Sequence, residues 1–197
     1  FLMALGVSGI KVGIGQGQAC TTRRETSIGV PQAEATVACA EAAGGHVPVI
    51  TDGGIRRDGH IATALFLGAS SVMFGGLFGG TKETPGTIFP DEKTGIHYKV
   101  YRGMASRRAM VDRLLKEYDV NPYEVSLPAA GEGTEIRLPY RGPVENALLQ
   151  MAAHLRSAVS YLGVKTLAEA RQVVRKHPED SITILSDAGR EESFTRP

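Results

Sequence analysis

The sequence contains no tryptophan, only two cysteines and few aromatic residues of any kind, 6% in all. Two cysteines, Cys20 and Cys39, cannot build a disulfide framework, so the fold has to rest on an apolar core. Net charge is also small: 22 basic against 21 acidic side chains leave +1. Such a balance gives no electrostatic reason to bind nucleic acid or an anionic membrane surface. No apolar run reaches the length of a membrane-spanning helix, and nothing reads as a signal peptide. A reducing, cytoplasmic setting is the expectation, and it suits a free thiol. At 197 residues and 42% hydrophobic content, the chain is long enough to bury a core of its own.

Glycine, by contrast, is plentiful at 24 residues, and it clusters. Ile10, Val12 and Ile14 run into the stretch Gly13 to Arg23, GIGQGQACTTR. A β-branched run ending in alternating glycines, Gly13, Gly15 and Gly17, predicts a strand and then a loop whose backbone can approach a ligand closely. The loop presents Cys20 beside Thr21 and Thr22. A thiol flanked by N–H groups and hydroxyls is placed to act as a nucleophile. A glycine-rich loop alone is a weak signal, and a lone cysteine is more often a small buried hydrophobe. The combination is what points to chemistry. Cys39, close to the apolar face of a helix, reads as core filler.

Phe1 to Val7 reads as the end of a helix stopped by Gly6. Ser8 to Ile14, His46 to Thr51 and Ser71 to Gly75 read as strands. Pro31 to Ala43 and Asp58 to Leu67, the latter stopped by Gly68, read as the helices between them. Three β–α repeats in series are the pattern of a parallel sheet. Thr87 to Arg102 reads as a hairpin turning at Asp91 to Gly95. Met104 to Tyr118 is expected to be helical. Asp119 to Gly142 has no clear period and reads as a long functional loop. Val144, Ala147, Leu148, Met151, Leu155, Ala158, Val159 and Leu162 recur at helical spacing. Thr166 caps a last helix to His177, and a polar tail follows from Pro178. Three parallel strands leave two open edges, which natural proteins avoid, so this sheet calls for further strands.

The runs KVGIGQGQACTTR, TSIGVPQ, PVITDGGIRRDGHIATAL, SSVMFGG, ETPG, YRGMAS and AAGEG, in that order, resemble the motifs of the IMP dehydrogenase and GMP reductase family. The resemblance covers most of the chain, to about Gly163. It implies an α/β fold, a TIM (β/α)8 barrel. Residues 1–197 would be the C-terminal part of that single catalytic domain: its last three β–α units, a flap over roughly residues 84–142, and the C-terminal helices. Much of the family's nicotinamide site would lie upstream. A purine nucleotide, GMP or IMP, is the implied substrate, NADP or NAD the implied cofactor, and a homotetramer the implied assembly.

Residue by residue, the resemblance makes Cys20 the nucleophile at C2 of the purine. Glu132, in Gly131-Glu132-Gly133, matches a position facing the purine ring, where a glutamate works with the second threonine of the Cys-Thr-Thr run, here Thr22. From its surroundings alone, Glu132 would read as a surface residue between flexible glycines. Phosphates often sit at the ends of the last barrel strands. Two strands here end in Asp52-Gly53-Gly54 and Gly75-Gly76, whose N–H groups can cradle a phosphate. Either glycine pair alone could simply make a tight turn. Asp52 would repel phosphate, and by resemblance accepts hydrogen bonds from the ribose hydroxyls. Tyr101, Gly103, Met104 and Ala105 match the segment that contacts phosphate and purine, although Met104 also reads as a core residue of the next helix. Gln18 matches a phosphate contact, but stands where the family usually has serine, and Gln16 stands where it usually has proline. Gly13 and Gly15 match the cofactor side of the loop. The carbonyls of Gly15, Gly17 and Cys20 match a potassium site that also takes a neighbour's tail, which ITILSDAGREES loosely resembles. Arg107, Arg108, Arg113 and Lys116 read as a solvated helix face, with a cofactor phosphate as the sharper reading.

Two activities share these residues. Dehydrogenases of the family activate water with an Arg-Tyr pair in the flap. The corresponding stretch here, KEYDVNPYEV, has Tyr118, Asp119 and Tyr123 but no arginine, and Arg113 lacks an adjacent tyrosine. This favours GMP reduction with NADPH. TSIGVPQ, the flap length and the tail favour the alternative, IMP oxidation with NAD. A purine-nucleotide-binding paralogue without turnover is the non-enzyme alternative. A flavin-dependent phosphate-binding barrel is a third, against which the Cys-Thr-Thr run speaks.

Overall fold

The computed structural model describes residues 1–117, 121 and 131–182. It opens on a short 3-10 turn, Leu2–Leu5, closed by Gly6 in the left-handed region. The expected β–α rhythm follows. Strands β1 (Ile10–Val12), β2 (Val49–Asp52) and β3 (Ser71–Met73) form a parallel sheet in that order, with Ile10 opposite Val49 and Ile50 opposite Ser71. Neither β1 nor β3 has a further strand partner among the described residues.

Strand alternation gives this sheet two different faces. Val12 and Val49 turn to the helices and pack with Ala43, and Ile10, Val47, Ala35 and Cys39 close around them. Cys39 thus sits where the core-filler reading puts it. Thr51 and Thr36 are also buried there; their hydroxyls bond each other at 2.8 Å, so neither is left unsatisfied. The other face carries Lys11, Asp52 and Met73.

The segment Thr22–Thr26 forms a helical turn, α1, directly after the cysteine. Helix α2 (Gln32–Ala43) is entered by Pro31 and closed by Gly44 with φ 56°, where a side chain would be strained. Helix α3 (Asp58–Phe66) is stopped by Gly68. A short helix α4 (Gly76–Gly79) follows β3. Ile61, Ala64 and Leu65 of α3 form the larger core with Leu77 and with Met151 of α6 (Val144–Tyr161). Ala147 and Leu155 pack against it as their spacing predicts; Leu148, on the same periodic list, is instead half exposed. Helix α7 (Leu167–Lys176) has a complete capping box between Thr166 and Glu169. Arg171 ties it to α3 through the carbonyls of Leu65 and Ala69. A single turn, α8 (Pro178–Ser181), follows.

A second sheet is antiparallel. Strands β4 (Phe89–Pro90) and β5 (His97–Arg102) form the expected hairpin, and Asp91 closes its turn by accepting the amides of Lys93 and Thr94. Strand β6 (Glu135–Pro139) pairs with all but the first residue of β5. It lies in the stretch expected to be structureless. Only Ile136 and Leu138 alternate inward, two apolar positions between prolines and glycines, too few to announce a strand. Helix α5 begins at Arg107 rather than Met104, because residues 103–106 are held in another set of bonds, described below. Among the described residues no helix is long and apolar enough to cross a membrane.

Candidate active site

The site forms where three loops meet at the seam between the sheets: 19–22 after β1, 103–106 after β5 and 131–134 before β6. Backbone bonds join them. The Thr21 N–H donates to Glu132 O at 2.9 Å, Thr134 N–H to Ala19 O at 2.9 Å, and Gly103 N–H to Thr134 O at 3.0 Å. Gly133 bridges both Cys20 and Ser106. The approach is so close that a Cβ on Gly103 would fall 2.5 Å from the Ala19 carbonyl, and one on Gly133 2.7 Å from the Ser106 amide. The glycines here therefore allow backbone to touch backbone. Ser106 is buried, and its hydroxyl accepts the Ala109 amide at the start of α5.

This stitching brings together three side chains far apart in sequence. The Cys20 thiol lies 3.2 Å from the Thr22 hydroxyl, and that hydroxyl donates to the Glu132 carboxylate at 2.7 Å. All three are half-buried. A nucleophile, a hydroxyl and a carboxylate in hydrogen-bond sequence can form a covalent bond to an electrophilic carbon and move a proton beside it.

The remaining predicted residues fall around this line. Tyr101 lies across the β3–α4 turn, where a Cβ on Gly75 would meet its hydroxyl at 2.0 Å. Gln18 reaches Gly76 in the same way, at 2.2 Å. Met104 and Ala105 are exposed, Met104 by 80%, so Met104 is not a core residue of α5. Asp52 pairs with Lys11 at 2.5 Å through one carboxylate oxygen. Sequence reading passed over Lys11. Its signal was position: it stands two residues before Gly13 on β1, on the face that alternation assigns to Asp52.

Several expectations are corrected. The Gly53 amide donates to Met73 O at 3.0 Å and the Gly54 amide to Gln16 O at 3.1 Å, so neither offers a free donor to a phosphate. The Gly75 and Gly76 amides are unengaged among the described residues. Gly13 and Gly15, matched to the cofactor side of the loop, are half-buried, and each is packed on the side where a side chain would stand. A Cβ on Gly13 would strike the Asp52 carbonyl, and one on Gly15 the Arg23 side chain. Internal packing and positive φ explain both. Of the three carbonyls expected to hold potassium, that of Gly17 already accepts the Cys20 amide at 3.0 Å; the tail expected to complete that site lies, from residue 183, outside the described residues. So do Tyr118, Asp119 and Tyr123. The basic residues of α5 behave as a solvated face: Arg108 faces Glu135 at 3.9 Å and Arg113 pairs with Glu117 one turn on at 3.2 Å.

A family profile described as IMP dehydrogenase / GMP reductase domain matches residues 1–195. The chain belongs to this family. The chain is 43% identical over 179 residues to an inosine-5'-monophosphate dehydrogenase of Nitrosopumilus maritimus, covering 87% of this chain and 36% of the relative. It is 44% identical over 176 residues to one from Helicobacter pylori, covering 87% and 35%. Among solved structures, the GMP reductase C318A of Trypanosoma brucei in complex with guanosine 5'-monophosphate superposes with a TM-score of 0.83 at 34% identity, over 100% of this chain and 38% of that one. The chain thus spans about a third of the length of the curated relatives it matches.

Proposed function

We propose that the protein is a purine-nucleotide oxidoreductase of this family, and that its reaction is the reduction of GMP to IMP with release of ammonia. The observation that carries the reading is the Cys20–Thr22–Glu132 line, at 3.2 and 2.7 Å. In this reading the residues belong to a (β/α)8 barrel, to which they contribute three β–α units and the flap.

The Cys20 thiolate adds to C2 of the purine. The exocyclic amine at C2 becomes the leaving group, and it leaves as ammonia once protonated. Thr22, held by Glu132, is the group that can carry that proton: the thiol's proton passes through its hydroxyl to the carboxylate as the thiolate forms, and returns by the same path to the amine. Cys20 is then left joined to C2 as a thioimidate. When bound, a reduced nicotinamide would supply the hydride at C2 that displaces the sulfur, and Cys20 would return to its thiolate. The phosphate is assigned to the Gly75 and Gly76 amides with Gln18 and Tyr101 nearby, and the ribose to the Asp52 oxygen that Lys11 leaves open.

The dehydrogenase direction needs a base to activate water. Arg113, the arginine nearest the relevant stretch, is engaged by Glu117 within α5 and has no tyrosine beside it. The second reading, IMP oxidation, is favoured by the names of the relatives at 43% and 44% identity. The test uses the intact protein with two substrate pairs. GMP with NADPH is expected to release ammonia and consume the cofactor in equal amounts. Sustained NADH formation from IMP and NAD, with no GMP reduction, would reverse the direction. Binding of both nucleotides with no turnover of either would leave a nucleotide-binding paralogue.

A further inference from the structure

We propose that Lys99 is a positioning residue for the nucleotide: its buried ammonium clamps the segment 75–84, which carries the free Gly75 and Gly76 amides, onto the antiparallel sheet that carries Tyr101. The inference rests on the purine-nucleotide reading above.

Lys99 sits in the middle of β5 and is 1% exposed, the largest of the fully buried side chains. Lysine is almost never fully buried without a partner. Among the described residues no carboxylate lies within ion-pair distance of it. Its Nζ instead donates to three backbone carbonyls in one loop: Thr81 at 2.8 Å, Lys82 at 3.4 Å, and Thr84. An ammonium has three donors, and each one here has an acceptor. Because carbonyls are dipoles rather than charges, the lysine joins the two elements without a counter-ion. Its removal would take this donor from the buried Thr81 carbonyl and from the partly buried carbonyls of Lys82 and Thr84.

The loop it holds is braced to α4. The Thr84 hydroxyl donates to Phe78 O at 2.5 Å and lies 2.9 Å from the Thr81 hydroxyl, which is itself 2.9 Å from Phe78 O. Two residues along β5, on the same face, Tyr101 covers the other end of the segment: its ring lies against Gly79 and its hydroxyl against Gly75. Lys99 and Tyr101 thus grip one segment at both ends. The bonds that assemble Cys20, Thr22 and Glu132 run through residues 19–21 and 132–134 and do not pass through Lys99. Geometry therefore separates two jobs. Lys99 governs how the phosphate turn faces the sheet, and leaves the chemical line intact.

The experiment is Lys99→Met in the intact protein, read by amide hydrogen exchange and by steady-state kinetics with GMP, at a temperature where circular dichroism shows the variant folded. Exchange over 81–84 is expected to rise at least about tenfold and exchange over 19–22 to stay unchanged. KM for GMP should rise about tenfold or more while kcat stays within about threefold. A lysine with a merely structural role would lower the unfolding temperature and leave KM alone, which would overturn the proposal. Unchanged exchange over 81–84 would overturn it whether or not a nucleotide binds, so this arm separates failure of the clamp from failure of the functional reading. If the unaltered protein binds neither GMP nor IMP, the functional reading falls and the proposal with it. Should Lys99→Met not fold, Thr84→Val removes one brace of the same loop; a smaller rise in KM in the same direction supports the clamp, and an unchanged KM overturns it.

Discussion

The two three-stranded sheets do different work. The parallel sheet, β1-β2-β3, is assembled from neighbours in sequence, with α2 packed on β1 and β2 and α3 packed on β3. It supplies the cysteine loop, Asp52 and the Gly75–Gly76 turn. The antiparallel sheet, β4-β5-β6, has little core of its own; of its strand residues only Lys99 and Leu138 are buried. Yet it delivers Tyr101 and leads directly out of Glu132. Thr22 and Glu132 are 110 residues apart, and only the docking of the second sheet against the first brings them to 2.7 Å. The proposed chemistry lies at the seam, so it depends on both.

That division can be broken at either side. The largest effect is expected from Cys20→Ala, which removes the proposed nucleophile without touching a core residue. Turnover should fall by more than about a thousandfold, roughly 4 kcal/mol of barrier, with the unfolding transition nearly unmoved. Steady-state assays and a thermal melt check it together, and near-normal turnover would remove Cys20 from the chemistry. Next comes Leu138→Ala in β6. Leu138 is buried against Gly79, and its truncation should destabilise by about 2–4 kcal/mol and weaken nucleotide binding as well. Denaturant unfolding and GMP titration report the two losses; stability lost with binding intact would show that the sheets are not coupled at the site. The smallest is Thr166→Ala, on a helix distant from the seam. Loss of the capping box should cost about 1 kcal/mol of stability and leave kcat and KM as they were.

The same contrast explains what could be read from the sequence. The β–α units were legible because each carries its own punctuation: an apolar run, a helix entered by Pro31 or closed by Gly44 or Gly68. Cys20 was legible as a candidate nucleophile from its glycine-rich loop and the hydroxyls beside it, whereas the pairing of Thr22 with Glu132 was implied by the family resemblance alone. Strand β6 was not, since Ile136 and Leu138 become a buried face only once β5 pairs with them. Which glycine amides remain free was not legible either. The Gly53 and Gly54 donors are taken by Met73 and Gln16, acceptors on other segments. Nor was it legible that Gly13 and Gly15 make room for the Asp52 carbonyl and for Arg23. Lys11 and Lys99, ordinary charged residues in the sequence, gain their roles from partners 41 and 15 to 18 residues away.

In the proposed reaction Thr22, from the first sheet's loop, and Glu132, from the second's, act as one proton-delivering unit beside Cys20. Its most direct test is a cycle of Thr22→Val, Glu132→Gln and the double variant, each assayed for ammonia release from GMP. Each single change should lower kcat by about a hundredfold, and the double variant should fall no further than about threefold below the worse single. Losses that multiply, to about ten-thousandfold in the double variant, would mean that the two residues act separately and that the hydrogen bond between them carries no part of the reaction.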